Sequence, residues 1–105
     1  MAQFDVYANP NVPQRTAFPY LVVMQSDQLS RYSTRFVMPL ARLPQPPVEL
    51  PRRLSQPVEI EGEALYPAAH LCAALPSRLL RKPVMSIREQ ADIMRDALDA
   101  VVSGL

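Results

Sequence analysis

The chain has 105 residues, of which 49% are apolar and 20% are charged, and its formal net charge is +1. This composition is typical of one globular domain over residues 1–105 and excludes a disordered chain, which is poorer in apolar residues. The lone Cys72 and the lone His70 exclude an intrachain disulfide and the usual zinc sites. The chain has only 2 glycines, so no glycine-rich phosphate loop can form. From the cysteine, histidine and glycine counts together, we expect no metal and no cofactor.

The sequence also lacks the patterns of membrane proteins. No apolar stretch reaches the length of about 18 residues that a membrane-spanning helix needs. The N-terminus has no basic region followed by an apolar one, which a signal peptide requires. We therefore expect a cytoplasmic protein with no membrane partner.

The first half of the chain predicts short strands separated by proline-rich connections. Apolar patterns place these strands over 3–7, 20–24 and 35–38. The run over 20–24 is apolar throughout, which indicates a buried strand, and a turn at Gln25, Ser26 and Asp27 ends it. The third strand is expected to end at Pro39. Prolines make 8–19 a loop and 41–57 an extended surface connection.

The second half predicts a hairpin followed by more ambiguous segments. Over 58–66, apolar residues alternate with glutamates and Gly62 permits a tight turn, which is the pattern of a β-hairpin. Residues 68–75 are apolar, with no period that separates strand from helix. Residues 78–80 are expected to form one more short strand.

The C-terminal segment predicts an amphipathic helix. Ser86 and Glu89 have the spacing of a capping box, in which each side chain binds a backbone N–H at the start of a helix. Apolar residues then recur at helical spacing over about 16 residues, and the helix is expected to end near 103–104. The apolar stripe consists of Ile87, Ala91, Met94, Leu98 and Val101. Strands followed by one helix favour a small curled sheet or barrel with the helix appended.

No group of side chains has the spacing of a catalytic motif. Asp92, Asp96 and Asp99 share a helix face with arginines, which is typical of a solvated surface. His70 lies in an apolar run, where a core or interface histidine is favoured over a catalytic base. Cys72 is expected to be an inert, buried thiol. We therefore expect a protein that is not an enzyme.

Positive charge is concentrated in two segments. These segments are consistent with ordinary surface charge, or with contact to an acidic partner segment or RNA. The cations are Arg31, Arg35, Arg42, Arg52 and Arg53 in the first segment, and Arg78, Arg81 and Lys82 in the second.

Several blocks, in their order and spacing, resemble the CcdB family of bacterial toxins. The opening QFDVY resembles that family's first strand, and VVMQSD at 22–27 and FVMPLA at 36–41 are similar to its next blocks. The hairpin, a short strand and a C-terminal helix that ends in glycine and a hydrophobic residue complete the order. The resemblance covers nearly the whole chain and is weakest in 42–57 and 77–85.

The resemblance implies a mainly β fold with a C-terminal α-helix. This fold is a five-stranded, SH3-like barrel-type sheet, as in CcdB and MazF, in a symmetric homodimer. It also implies a toxin that binds the A subunit of DNA gyrase and traps gyrase on cleaved DNA, without catalysis of its own. An antitoxin with a disordered C-terminal segment would neutralise it, and operator DNA would be bound only through that antitoxin.

The resemblance places the gyrase-binding residues in the turn after the second strand and at the end of the helix. These residues are Gln25, Ser26, Asp27, Leu29, Asp99, Val102, Ser103, Gly104 and Leu105. Ser103 departs from the family, which typically has Trp at this position, and buried Trp anchors each contribute roughly 2 kcal/mol or more to an interface.

Two alternatives stay open, and the Ser103 departure motivates the first of them. One is a homologue that binds antitoxin but no longer poisons gyrase. The other is an endoribonuclease toxin of the same fold, for which Asp27, Arg31 and Arg35 are the only loosely grouped candidates.

Overall fold

A computed structural model describes residues 2–43 and 56–103, the last of these for its backbone only. The described residues form strands and one α-helix, joined by short 3-10 turns. The strands are β1 (Asp5–Ala8), β2 (Tyr20–Val23), β3 (Thr34–Ala41), β4 (Val58–Ile60), β5 (Glu63–Pro67), β6 (Ala73–Pro76) and β7 (Met85–Ser86), and the helix is α1 (Ala91–Ser103). Most of the predicted proline-rich connection over 41–57 lies outside the described residues.

The strands form one curled, antiparallel sheet in the order β4-β5-β3-β2-β1-β7, and β6 also pairs with β3. The sheet therefore forks at β3, whose first half pairs with β6 and whose last two residues pair with β5. This architecture confirms the mainly β fold with a C-terminal helix. The described residues form seven strands rather than the expected five, because β6 and β7 are short pieces with little strand pattern in the sequence.

The expectation that the third strand ends at Pro39 is wrong. Pro39 lies inside β3 and pairs with Leu21, and its carbonyl accepts a hydrogen bond from the N–H of Ala68 at 2.9 Å. In an antiparallel strand the N and O of one residue point to the same side, so the nitrogen of Pro39 also points away from β2. On that side the partner changes from β6 to β5, and no ladder donor is needed there.

The hairpin prediction is confirmed, since β4 and β5 pair through a two-residue turn. Glu61 and Gly62 both have positive φ, 50° and 83°, as a type I′ hairpin turn requires. The ambiguous segment over 68–75 contains a 3-10 turn, Ala69–Leu71, followed by the start of β6. The short strand expected over 78–80 is wrong, because Ser77–Leu79 is another 3-10 turn.

Both faces of the sheet are apolar, and α1 covers one of them. The core under the helix includes Met38 from β3 and Met94 from α1, both with no exposed surface. A smaller cluster on the opposite face contains Tyr7, Leu21 and Val37. Because β2 and β3 bury residues on both faces, they have the continuous apolar runs that made them readable in the sequence.

The start of the helix differs from the expected capping box. The Ser86 hydroxyl lies in β7 and accepts the N–H of Arg88 at 3.3 Å, and a 3-10 turn, Arg88–Gln90, precedes α1. The buried stripe also turns slightly, since Ala97 and Ala100 are buried while Val101 is 39% exposed. Among the described residues, no helix is long and apolar enough to cross a membrane.

Candidate protein-binding site

The turn after β2 is held in one shape by its own side chains. The Oε1 atom of Gln25 accepts the N–H of Phe36 at 3.1 Å, and its Nε2 donates to the carbonyl of Leu29 at 2.9 Å. The Ser26 hydroxyl accepts the N–H of Gln28 at 3.3 Å, which starts the 3-10 turn Asp27–Leu29. The structure therefore brings the predicted residues of this turn together and leaves the Leu29 side chain 45% exposed.

A buried guanidinium holds the loop that follows this turn. Arg35 is only 9% exposed, and it donates to the carbonyls of Ser30, at 2.6 Å, and of Thr34, at 2.8 Å, and also to that of Tyr32. Its Nε is buried and has no hydrogen-bond partner. Because three backbone carbonyls of the loop accept hydrogen bonds from one guanidinium, Arg35 holds residues 30–34 in one conformation.

The N-terminal residues connect the turn to the helix. The N–H of Gln3 donates to Asp27 Oδ1 at 2.7 Å, and Gln3 Nε2 donates to the carbonyl of Met24 at 3.0 Å. On the helix side, Arg88 donates to the carbonyl of Gln3 at 3.4 Å, and the guanidinium of Arg95 lies 5.0 Å from the centre of the Phe4 ring. Asp27 is therefore a fixed acceptor, and the turn and α1 are held to the same short segment.

Phe4 takes an unusual backbone conformation at this junction. Its φ is 69°, in the left-handed region that costs a non-glycine residue about 1 kcal/mol or more. The bend allows its N–H to donate to the carbonyl of Val23 at 2.7 Å while its ring is buried in the core. The packing of the Phe4 ring offsets the backbone strain.

The predicted residues at the end of α1 are only partly described. Asp99 lies on the exposed side of the helix, and Val102 is 75% exposed. Ser103 is the last residue of the helix, and Gly104 and Leu105 lie outside the described residues. An exposed valine at a helix end is costly to leave in water and inexpensive to bury against a partner.

An exposed aromatic ring adds to the apolar surface near the turn. Phe36 is 37% exposed and shares one face of β3 with Met38 and Leu40, because residues two apart in a strand point the same way. Those two residues belong to the core under α1, so the Phe36 ring lies on the helix side of the sheet. Tyr32, 52% exposed, lies in the loop beside it.

The titratable residues singled out in the sequence lie in different surroundings. His70 is exposed in a 3-10 turn, so it is not a core histidine, and its place at an interface stays a prediction. Burial raises the pKa of the Cys72 thiol to about 11, which keeps it protonated near neutral pH. Asp92 is exposed and pairs weakly with Arg95 at 3.6 Å. Among residues 2–43 and 56–103, no group of His, Cys, Asp and Glu side chains is placed to hold a metal ion.

The three residues considered for an endoribonuclease site each make different contacts in the fold. Arg35 is buried against carbonyls, Asp27 accepts the N–H of Gln3, and Arg31 lies 5.5 Å from the centre of the Tyr32 ring. A phosphodiester-cleaving site needs a base and free cations that converge on one groove. Arg35 is buried and donates to backbone carbonyls, so it is not a free cation of that kind.

A second apolar surface lies on the face of the sheet opposite α1. There, a groove of about 550 Å³ is open to solvent. Its walls are formed by Phe18, Leu21, Val37, Pro39, Leu71, Leu75 and Leu79, with Asn9 at one end. The exposed surface of Leu71, 42%, makes this groove a second candidate for contact with another protein chain.

Sequence reasoning missed three residues that shape the site. Arg35 was interpreted as part of a basic surface, and Gln3 and Phe4 as part of an ordinary strand. The FD pair gives no signal of positive φ, which is usual for glycine or asparagine and rare for phenylalanine. The one available hint of burial is the position of Arg35 directly before the apolar residues Phe36, Val37 and Met38.

Comparison with known proteins identifies a family for this chain. The sequence profile of the family described as CcdB protein matches residues 3–104. No curated protein sequence matches the chain significantly.

Proposed function

This chain belongs to the CcdB family, whose members are toxins of toxin–antitoxin systems, and we propose that it binds the A subunit of DNA gyrase and traps gyrase on cleaved DNA. One observation carries the proposal. Leu29 and Val102, at two of the expected gyrase-binding positions, are exposed apolar side chains on elements that Gln3 and Phe4 hold in place. Such pre-organised apolar anchors are typical of a protein-binding surface.

The proposed mode of action needs no catalysis by the toxin. Gyrase itself breaks and rejoins DNA, so a protein that binds the open, cleaved form stabilises it by its differential affinity for that state. The proposed contact residues are those of the turn and of the helix end: Gln25, Ser26, Asp27, Leu29, Asp99, Val102, Ser103, Gly104 and Leu105.

Three further partners follow from the family. We propose that the protein acts as a symmetric homodimer, which would present the contact residues twice. The family implies an antitoxin partner, and we propose that a disordered segment of the antitoxin covers the toxin's apolar surface. Sequence-specific recognition of operator DNA is assigned to the antitoxin.

The test is direct binding to a purified gyrase A fragment, measured by calorimetry. Val102→Glu places a charge at the proposed interface and is expected to weaken binding at least 10-fold, since charged residues are depleted from interface cores. The matched control is Val12→Glu. This valine is also exposed, at 61%, and it lies in the loop between β1 and β2, outside the proposed contact residues. Equal effects of the two variants, or no binding by the unmodified protein, would contradict the proposal.

Ser103 favours a second candidate, a family member that binds antitoxin without poisoning gyrase. A serine buries far less apolar area than the tryptophan typical of the family, and a loss of roughly 2 kcal/mol lowers affinity about 30-fold. Under this candidate, Ser103→Trp increases gyrase binding while antitoxin binding is unchanged. If Ser103→Trp leaves gyrase binding unaltered, position 103 is not what limits it.

A further inference from the structure

A hollow lined by cations lies next to the apolar groove. Its volume is about 610 Å³, and it opens between the loop after β1 and the connection from β6 to β7. Arg15 comes from the first of these segments, and Arg78, Arg81 and Lys82 come from the second. Among the described residues, Tyr7, Ala8, Pro10 and Leu79 complete the lining, and none of the residues there is a carboxylate.

These cations are available to a ligand. Arg78, Arg81 and Lys82 are exposed, and within residues 2–43 and 56–103 none of them makes an ion pair. Arg15 is anchored by its Nε, which donates to the carbonyl of Asn9 at 2.6 Å. That bond leaves the two terminal nitrogens of the guanidinium for other acceptors.

The Asn9 contact belongs to a network that fixes the wall carrying Arg15. Asn9 is 5% exposed, its Nδ2 donates to the carbonyl of Phe18 at 2.9 Å, and its Oδ1 accepts the N–H of Asn11 at 3.0 Å. These hydrogen bonds link the two ends of the loop after β1, so the backbone that carries Arg15 is fixed at the rim of the hollow. Pre-organised cations lose less entropy when they bind an anion.

The net charge of +1 conceals a separation of charge. Acidic side chains are concentrated on the β4–β5 hairpin and on the helical C-terminal segment, namely Glu59, Glu61, Glu63, Glu89, Asp92, Asp96 and Asp99. Burial raises the pKa of the Tyr7 phenol, which lines the hollow, and the carboxylate charge of Asp5 adds to the rise. Asp5 accepts the N–H of Ala2 at 3.0 Å and does not line the hollow.

From this geometry we infer that the cationic hollow binds the phosphate backbone of nucleic acid without reading its sequence. Guanidinium groups bind phosphate oxygens through paired hydrogen bonds, and a hollow of about 610 Å³ is larger than one phosphate needs. An acidic peptide is the competing ligand, because carboxylates also accept from guanidinium groups and the adjoining groove offers apolar anchors, and its binding is one outcome of the test below. The inference does not depend on gyrase binding, and it adds phosphate contacts to the sequence recognition that we assign to the antitoxin.

The test uses the full-length protein and fluorescently labelled nucleic acids. Binding to a random-sequence DNA duplex and to a single-stranded RNA is followed by fluorescence polarisation from 50 to 200 mM NaCl. A surface that neutralises three phosphates gives a slope of log K against log salt of about −3 on the duplex. Duplex binding alone assigns the ligand as DNA, and comparable binding of both assigns a backbone shared by DNA and RNA.

The decisive variant is the triple change Arg78→Gln, Arg81→Gln, Lys82→Gln, which is expected to weaken binding at least 10-fold and to flatten the salt slope. Arg31→Gln, Arg42→Gln, Arg95→Gln removes the same charge elsewhere and is expected to retain most of the affinity. Thermal unfolding by circular dichroism shows that both variants are folded. No binding at 50 mM NaCl, equal losses in the two variants, or tighter binding to polyglutamate than to nucleic acid would overturn the inference.

Discussion

At the scale of single residues, Arg35 determines the shape of the loop beside the proposed gyrase site. Its guanidinium is buried against backbone carbonyls and, among the described residues, makes no ion pair. A buried charge without a carboxylate partner costs free energy, which only its hydrogen bonds offset. The ordered conformation of residues 30–34 therefore depends mainly on the Arg35 side chain.

Replacing Arg35 by Met is expected to loosen residues 30–34. The change removes the donors to Ser30, Tyr32 and Thr34, so the unfolding free energy falls by about 1–3 kcal/mol. Amide hydrogen exchange in the loop would become faster. Arg31→Met, four residues away and exposed, is the control and shifts stability by no more than about 0.5 kcal/mol. Equal exchange rates in the two variants would contradict a positioning role for Arg35.

The Cys72 thiol is expected to react slowly in the folded protein. Burial raises its pKa from 9.0 to about 11, so at pH 8 the thiolate fraction is about 100-fold lower than in the unfolded chain. Because the folded pKa is the higher one, the neutral thiol contributes stability that is complete below pH 9 and is lost as the pH rises towards 11. Alkylation by iodoacetamide, compared with and without urea, measures the difference. Equal rates would show that the thiol is not protected.

Residue-scale chemistry was readable only where it follows from residue type. The apolar run around Cys72 predicts a buried thiol, and in the structure that thiol is half-buried, which raises its pKa. The roles of Gln3 and Arg35 arise from contacts across the fold. Gln3 bonds to Asp27, 24 positions away, and no local pattern encodes such a contact.

At the scale of elements, the amide of Gln90 attaches the start of the helix to the edge of the sheet. Gln90 Nε2 donates to the carbonyl of Glu59 at 3.0 Å, and the N–H of Glu59 donates to Gln90 Oε1 at 2.8 Å. The Gln90 side chain thus makes with β4 the two hydrogen bonds that a residue of a neighbouring strand would make. β4 is an edge strand of the sheet. An occupied edge is less able to pair with another chain.

Gln90→Glu tests this attachment with little change in size. The carboxylate can still accept from the N–H of Glu59 but cannot donate to its carbonyl, so we expect a loss of about 1 kcal/mol in the free energy of unfolding. Chemical denaturation provides the measurement. Glu89→Gln, its exposed neighbour, is the matched control and is expected to be nearly neutral. A neutral Gln90→Glu variant would show that the contact adds nothing to stability.

The elements themselves were predictable where one pattern dominates. The apolar runs of β2 and β3 were visible in the sequence because these strands are buried on both faces. The alternation of apolar and polar residues in β4 and β5 was visible because these strands are buried on one face. The passage of β3 through Pro39 was not, because it depends on which neighbouring strand lies on each side. The exposure of Val101 likewise reflects the helix orientation set by packing over Met94 and Ala97, which periodicity alone places only to within one residue.

At the scale of the whole molecule, the fold separates three surfaces. The turn and helix end form the proposed gyrase site, the apolar groove lies on the opposite face, and the cationic hollow adjoins that groove. The family resemblance predicts the first of these, which stays a prediction, whereas the other two depend on how the sheet curls. A small domain that leaves this much apolar surface in water is suited to assembly with partners.

The most direct test of gyrase poisoning is a DNA cleavage assay. The purified protein is mixed with the host's gyrase, supercoiled plasmid and ATP, and linear DNA is measured after denaturant and protease. We predict linear DNA that rises with the dose of toxin and falls when antitoxin is added or when Gly104 and Leu105 are deleted. A folded protein that yields no linear DNA at any dose would contradict it.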